Sequence, residues 1–272
     1  MLVSVHGHRL HYDLLGSDDA PLVCFAHSLA SDGGMWAEQV GVTLDAGFRV
    51  LRVDIRGHGG SEAIPGPYTM DALADDFAAL LDIGKFERTH FVGLSIGAMI
   101  GETLAIRYGA KLASMLLCDT QPSAPATARA GWSAPLAMIR QSNSLTPVRG
   151  GMMRAWLSDA FKARNPARWA QIESTLLATT PAGFEGCVEA MSDFDVTADL
   201  PSVRIPTLVV CGAADPMTPP SENRRLAALI PGARYEEIPD ARHFANVEQP
   251  ETFNRILAEW LNEQRASTSL GG

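Results

Sequence analysis

The chain has 272 residues, is 46% hydrophobic and 19% charged, and carries a formal net charge of −9. This length and composition suit a globular chain with a large core, as one α/β domain or two smaller domains. With 22 basic residues against 31 acidic ones and no lysine- or arginine-rich block, the balance argues against a nucleic-acid partner or an anionic membrane partner.

The first residues, Met1-Leu2-Val3-Ser4-Val5-His6, show no basic segment leading into a long apolar one, so no secretory signal is expected. No run of about 18 uncharged apolar residues occurs, so no membrane span is expected. The expected setting is the cytoplasm.

Residues 2 to 16 alternate enough for two short strands around Gly7. Solid apolar runs follow at Leu22 to Ala26, Val50 to Val53, His90 to Val92, Met115 to Cys118 and Thr207 to Cys211. Short apolar runs ending in turn residues suit strands buried on both faces of a parallel sheet. Between them, Met70 to Leu81, Ile96 to Tyr108, Glu222 to Ile230 and Glu251 to Gln264 carry helical periodicity. Asp71, Asp75 and Asp76 stand near the start of the first helix, where acids complement the helix dipole. The alternation predicts an α/β fold with a mostly parallel, eight-stranded sheet flanked by helices.

From about Gln121 to Pro201 the alternation stops. The stretch has helical patterns, no solid strand, and Trp132, Trp156, Trp169, Met138, Met152 and Met153. It is expected to be a helical cap (121–201) inserted into a core formed by 1–120 and 202–266, with 267–272 as a mobile tail. An insertion after a strand's carboxyl end lies over the ligand crevice of an open α/β sheet. Ser28, Trp132, Met153 and Trp156 are therefore the expected substrate-binding side chains. The four cysteines, Cys24, Cys118, Cys187 and Cys211, show no metal-type spacing. Three lie in apolar runs and are expected as core thiols. No metal and no cofactor is expected.

Gly93-Leu94-Ser95-Ile96-Gly97 follows the run His90 to Val92 and opens a helix. This is the G-x-S-x-G turn in its strand–turn–helix setting. The glycines let the backbone pass closely on a strained turn, and the serine oxygen then stands at a helix N-terminus. The bare pattern arises by chance about 0.1 times in such a chain, so the flanking elements carry its specificity. Ser95 is the expected nucleophile.

A serine hydroxyl needs an adjacent base. Of seven histidines, His6, His8 and His11 sit in the opening hairpin, and His90 starts the strand before Ser95, at the far end of the sheet. His243 follows the last strand, Tyr235 to Ile238, in a loop that can reach Ser95. The acid should lie between serine and histidine in the chain. Asp215, after Thr207 to Cys211, fits best; Asp119 is the second candidate, and Asp54 suits a structural turn. An oxyanion hole needs two donors. The N–H groups of Ile96 and Leu29 are expected to supply them, with Ser28 as the alternative to Leu29.

These features, with the turn Asp54-Ile55-Arg56-Gly57-His58-Gly59, resemble the α/β-hydrolase superfamily. Within it the chain most resembles the 3-oxoadipate enol-lactonases and related small esterases. Pro65 to Thr69, His243 to Pro250 and Asp215-Pro216-Met217-Thr218-Pro219-Pro220 carry that similarity, which spans roughly residues 8 to 262. The resemblance implies a cofactor-free hydrolase working through an acyl-enzyme, with Ser95, Asp215 and His243 as its triad. The chain departs from it at His27 and Ala30, where enol-lactonases tend to have asparagine and glycine, and at Ile96, where they tend to have methionine.

The expected function is hydrolysis of a small carboxylic ester or lactone. Alternatives are an N-acyl homoserine lactonase, a perhydrolase or acyltransferase using the same triad, and a non-catalytic small-molecule receptor. An anionic substrate would require a cation from the cap, with Arg140, Arg149, Arg154 and Arg242 the candidates by position. The sequence sets no oligomeric state.

Overall fold

The computed structural model describes residues 1–269. Its strands are β1 (Leu2–Val5), β2 (His8–Leu15), β3 (Leu22–Ala26), β4 (Arg49–Val53), β5 (Thr89–Leu94), β6 (Leu112–Cys118), β7 (Thr207–Gly212) and β8 (Arg234–Ile238). They form one eight-stranded sheet in the order β1-β2-β4-β3-β5-β6-β7-β8. The pairs β1/β2 and β2/β4 are antiparallel, and every pairing from β4 across to β8 is parallel.

Every residue of β3, β5 and β7 is buried. Strands covered on both faces cannot alternate polar with apolar residues, which is why they read as solid apolar runs. Helices α1 (Ala37–Asp45), α2 (Met70–Ile83) and α3 (Ile96–Tyr108) occupy the first half of the chain. Thr69 caps α2 by accepting a hydrogen bond from Ala72 N–H at 3.1 Å.

Five helices lie between β6 and β7: α4 (Ala128–Ser142), α5 (Arg149–Trp156), α6 (Asp159–Arg164), α7 (Pro166–Ala178) and α8 (Pro181–Ser192). The chain leaves and re-enters the core side by side. Ser123 and Asp195 form an antiparallel bridge, and Val196 N–H donates to Pro122 C=O at 3.0 Å.

The chain closes with α9 (Pro220–Leu229), α10 (Ala245–Glu248) and α11 (Pro250–Ser269). Helices α2 and α3 pack together, as do α1 and α11. Trp36, just before α1, stands between Phe25 of β3 and Phe253 of α11, with ring centroids 5.1 and 6.0 Å away. Truncating one of these aromatics to alanine would cost about 3–5 kcal/mol through the lost burial and the cavity left behind.

Helix α11 continues through Ser269, so residues 267–269 of the expected mobile tail are helical, and residues 270–272 lie outside the described residues. All four cysteines are buried and free. Among the described residues, no helix is long and apolar enough to cross a membrane.

Candidate active site

The parallel strands end along one edge, and the loops beyond their carboxyl ends carry the groups singled out above. Ser95 follows β5 with φ 58° and ψ −120°, a conformation that side chains rarely adopt. Its N–H donates to Cys118 C=O at 2.9 Å. Its own carbonyl accepts from Ala98 N–H at 2.9 Å and Met99 N–H at 3.0 Å, and from the Thr120 hydroxyl at 3.3 Å. The turn closes only because its flanking glycines have no side chains. A Cβ on Gly93 would lie 2.4 Å from Gly97 O, and one on Gly97 would lie 2.2 Å from Ala26 O.

Asp215 lies in the loop after β7 and His243 in the loop after β8. His243 Nδ1 is 2.8 Å from Asp215 Oδ2, a spacing that has the ring N–H donating to the carboxylate. The Thr218 hydroxyl donates to the same oxygen at 2.6 Å. The N–H groups of Met217 and Thr218 donate to Asp215 Oδ1 at 2.8 and 3.2 Å. Burial works to raise the Asp215 pKa, but the His243 charge and these hydrogen bonds hold it below the ordinary carboxylate value. Burial likewise works to lower the His243 pKa, but Asp215 outweighs it and raises the imidazole above its ordinary 6.5. His243 Nε2 is buried, with no hydrogen-bond partner among the described residues.

Neighbouring contacts fix the histidine loop. Glu248 accepts from Arg242 N–H at 2.7 Å with one oxygen and from Ser158 N–H at 2.9 Å with the other. Phe244 stacks on Trp156 of α5 with ring centroids 4.5 Å apart and planes 13° apart. Trp156 and Ser158, between β6 and β7, and the histidine loop thus hold each other.

Asp119 is fully buried after β6 and accepts from Gly212 N–H at 2.7 Å. No hydrogen bond joins it to His243 among the described residues, so the second candidate acid stands beside the pair and does not bond the base. Burial and the Asp215 charge push its pKa up to about 7. Asp119, Cys211 and Asp215 could offer donor atoms to a metal, all within 4.8 Å of one another. The Asp215 oxygens are already bonded to His243, Thr218 and Met217, which fits a buried acid site better than open coordination.

Asp54 behaves as a turn residue. It accepts from Gly33 N–H and Gly60 N–H, both at 2.8 Å, and lies 2.9 Å from His11 Nδ1. His90 lies at the opposite end of β5, 2.8 Å from the Ser114 hydroxyl.

The loop after β3 is held by His27. Its Nδ1 lies 2.7 Å from Ser28 O, and its Nε2 accepts from Ile55 N–H at 2.8 Å. Ser28 N–H is spent on Met35 Sδ at 3.2 Å. Among the described residues no hydrogen bond takes up the N–H of Leu29 or of Ile96, the two expected oxyanion donors.

Ser95 and His243 line one cavity of about 340 Å³, together with Ser28, Leu29, Trp132 and Trp156. The volume is within the usual range for small-molecule sites. Met153 is not among the lining residues; Met152 is. Positions 152 and 156 are one helical turn apart on α5 and share a face, and Met153 is rotated away into the core. Met99, Gln121, Met191, Met217 and Thr218 also line the cavity and were not anticipated. Thr218 carried a legible signal, because Asp215-Pro216-Met217-Thr218 is turn chemistry that returns N–H and O–H groups to the carboxylate. The four arginines proposed for an anionic substrate are all absent from the lining.

Residues 21–250 match the family described as the alpha/beta hydrolase fold. The chain is 33% identical to the 3-oxoadipate enol-lactonase 1 of Acinetobacter baylyi over 262 residues, covering 96% of each chain. Among solved structures, the enol-lactonase of Burkholderia xenovorans superposes with a TM-score of 0.91 at 33% identity, covering 96% of this chain and 99% of that one. A thermophilic esterase from Thermogutta terrifontis gives a TM-score of 0.89 at 30% identity, covering 97% of each.

Proposed function

Because the chain belongs to the α/β-hydrolase fold family and its relatives mark it as a hydrolase of lactones or esters, we propose that it works through a Ser95–His243–Asp215 triad and an acyl-enzyme. One observation carries the reading: His243 gives Nδ1 to Asp215 and keeps Nε2 unpartnered, at a cavity that Ser95 also lines.

The reaction follows from these positions. Ser95 Oγ attacks the substrate carbonyl while His243 Nε2 accepts its proton. The tetrahedral oxyanion receives hydrogen bonds from Leu29 N–H and Ile96 N–H, at the N-terminus of α3. His243 then protonates the departing alkoxide and leaves an ester on Ser95. For a lactone the alkoxide stays tethered to the acyl group. Water gives its proton to His243 and attacks the acyl-enzyme, and the proton returns to Ser95 as the acid leaves. Asp215 stays ionised throughout, fixing the tautomer and stabilising the imidazolium. The segment 121–201 acts as the cap that supplies most of the residues lining the pocket.

The test is turnover of p-nitrophenyl esters and simple lactones by the protein and by Ser95→Ala. A loss of at least about 10⁴-fold in kcat is expected. Unchanged turnover in Ser95→Ala would refute the reading.

A further inference from the structure

The cavity has no fixed charge of either sign. Its lining includes no arginine, lysine, aspartate or glutamate, and His243 is its one ionisable side chain. Most of the lining is apolar, including Met99, Met152, Met191, Met217, Trp132 and Trp156, while Gln121 and Thr127 add uncharged polar groups.

None of the nearby cations reaches the cavity lining. Arg140 pairs with Glu185, and Arg149 Nε lies 3.4 Å from Glu173 Oε1. Arg242 donates to the Arg154 carbonyl. Arg154 is exposed and stands two residues from Met152 on α5, which turns it roughly 200° away from the face that meets the cavity. Arg129, next to Ala128 at the start of α4, is exposed and paired with Asp193.

We infer that this cavity selects an uncharged ester or lactone with an apolar acyl chain and rejects acyl groups ending in a carboxylate. The inference names the substrate class of the hydrolase proposed above and rests on that reading for the reaction itself. A carboxylate in this cavity would lose its hydration without gaining a counter-ion, and a buried unpaired charge is among the costliest arrangements in a protein. The nearest ionised acid, Asp215 behind His243, adds repulsion, as does the net charge of −9. An alkyl chain instead gains contact with unbranched, polarisable methionines that adjust to its length. A lactone with a free carboxylate, such as the enol-lactone of 3-oxoadipate, belongs to the rejected class.

The discriminating pair is p-nitrophenyl hexanoate and mono-p-nitrophenyl adipate, which have equal chain length and differ in the terminal methyl or carboxylate. At about pH 8 the hexanoate is expected to be favoured at least ~100-fold in kcat/KM. A ratio within about 3-fold, or a reversed ratio, would overturn the inference. A second measurement separates pocket from chemistry: calorimetric binding of hexanamide and of adipamate, its ω-carboxylate counterpart, to Ser95→Ala. Tighter binding of hexanamide supports the inference even if neither ester is turned over, an outcome that would count against the triad alone. Equal or tighter binding of adipamate, or no binding of hexanamide, overturns it.

Discussion

Asp119 and Asp215 each hold a carboxylate oxygen within 4.8 Å of the other's, yet only Asp215 bonds His243. The two loops converge because β6 and β7 are adjacent and parallel, and Asp119 holds the end of β7 through Gly212 N–H. One acid is ionised by its bond to the histidine. The other is pushed up to about 7 by burial and by that neighbouring charge. Asp215→Asn should therefore lower kcat by about 10⁴-fold. Asp119→Asn, which keeps an acceptor for Gly212, should cost less than about 10-fold. Steady-state kinetics on both variants decides the assignment, and equal losses would contradict it.

The pH profile follows from the sign of the His243 shift. In the proposed triad His243 must be neutral to accept the Ser95 proton, and Asp215 stabilises its protonated form. kcat/KM should therefore rise with pH through a midpoint above the ordinary 6.5 of imidazole. Asp119→Asn should move that midpoint down, because the Asp119 charge also favours the protonated histidine. A flat profile, or a midpoint below the ordinary value, would count against His243 as base.

Glu102 offers a stability test behind the Ser95 turn, where it shares the Thr120 hydroxyl with the Ser95 carbonyl. It is fully buried in α3, accepts from the Thr120 hydroxyl at 3.3 Å with one oxygen, and among the described residues has no partner for the other. Burial raises its pKa well above the ordinary 4.5. The folded protein therefore binds a proton that the unfolded chain releases. The stability from this group is fully present below the ordinary value and is lost as pH rises toward the folded-state pKa, by up to about 1.4 kcal/mol per pH unit. Glu102→Gln should gain in Tm relative to the parent as pH rises from about 5 to 8. A difference in Tm that does not change with pH would show that Glu102 is ionised in the fold.

Much of this architecture was legible because the physics is local. Strands buried on both faces appear as apolar runs, and the elbow appears as glycines flanking a serine between a strand and a helix. Ile96 to Tyr108 matches α3 at both ends. Helix α1 was not anticipated: Gly41, Val40, Val42 and Thr43 dilute its helical signal, and it forms by packing against α11. Met152 lines the cavity where Met153 is expected, because the phase of a short helix is set by its packing partners. Trp156, fixed by stacking on Phe244, sets that phase here.

The elbow glycines can be tested against a helical control. Gly97→Ala would place a Cβ 2.2 Å from the Ala26 carbonyl, whereas a Cβ at Gly151 meets nothing within 4 Å. Overpacking against backbone should cost Gly97→Ala about 1–3 kcal/mol or more, with loss of activity. Gly151→Ala, at an exposed position of α5, should gain up to about 1 kcal/mol from helix propensity. Thermal melts of the two variants should move in opposite directions, and shifts of the same sign would contradict the close approach.

The most direct test of the central claim is to trap the acyl group. The protein is mixed with p-nitrophenyl hexanoate, quenched in acid within milliseconds, and its intact and peptide masses are measured. The account predicts a single hexanoyl adduct on the peptide containing Ser95, absent in Ser95→Ala and accumulating in His243→Ala less than in the parent. An adduct on another residue, or turnover without any adduct at Ser95 under conditions that show a burst of p-nitrophenol, would contradict it.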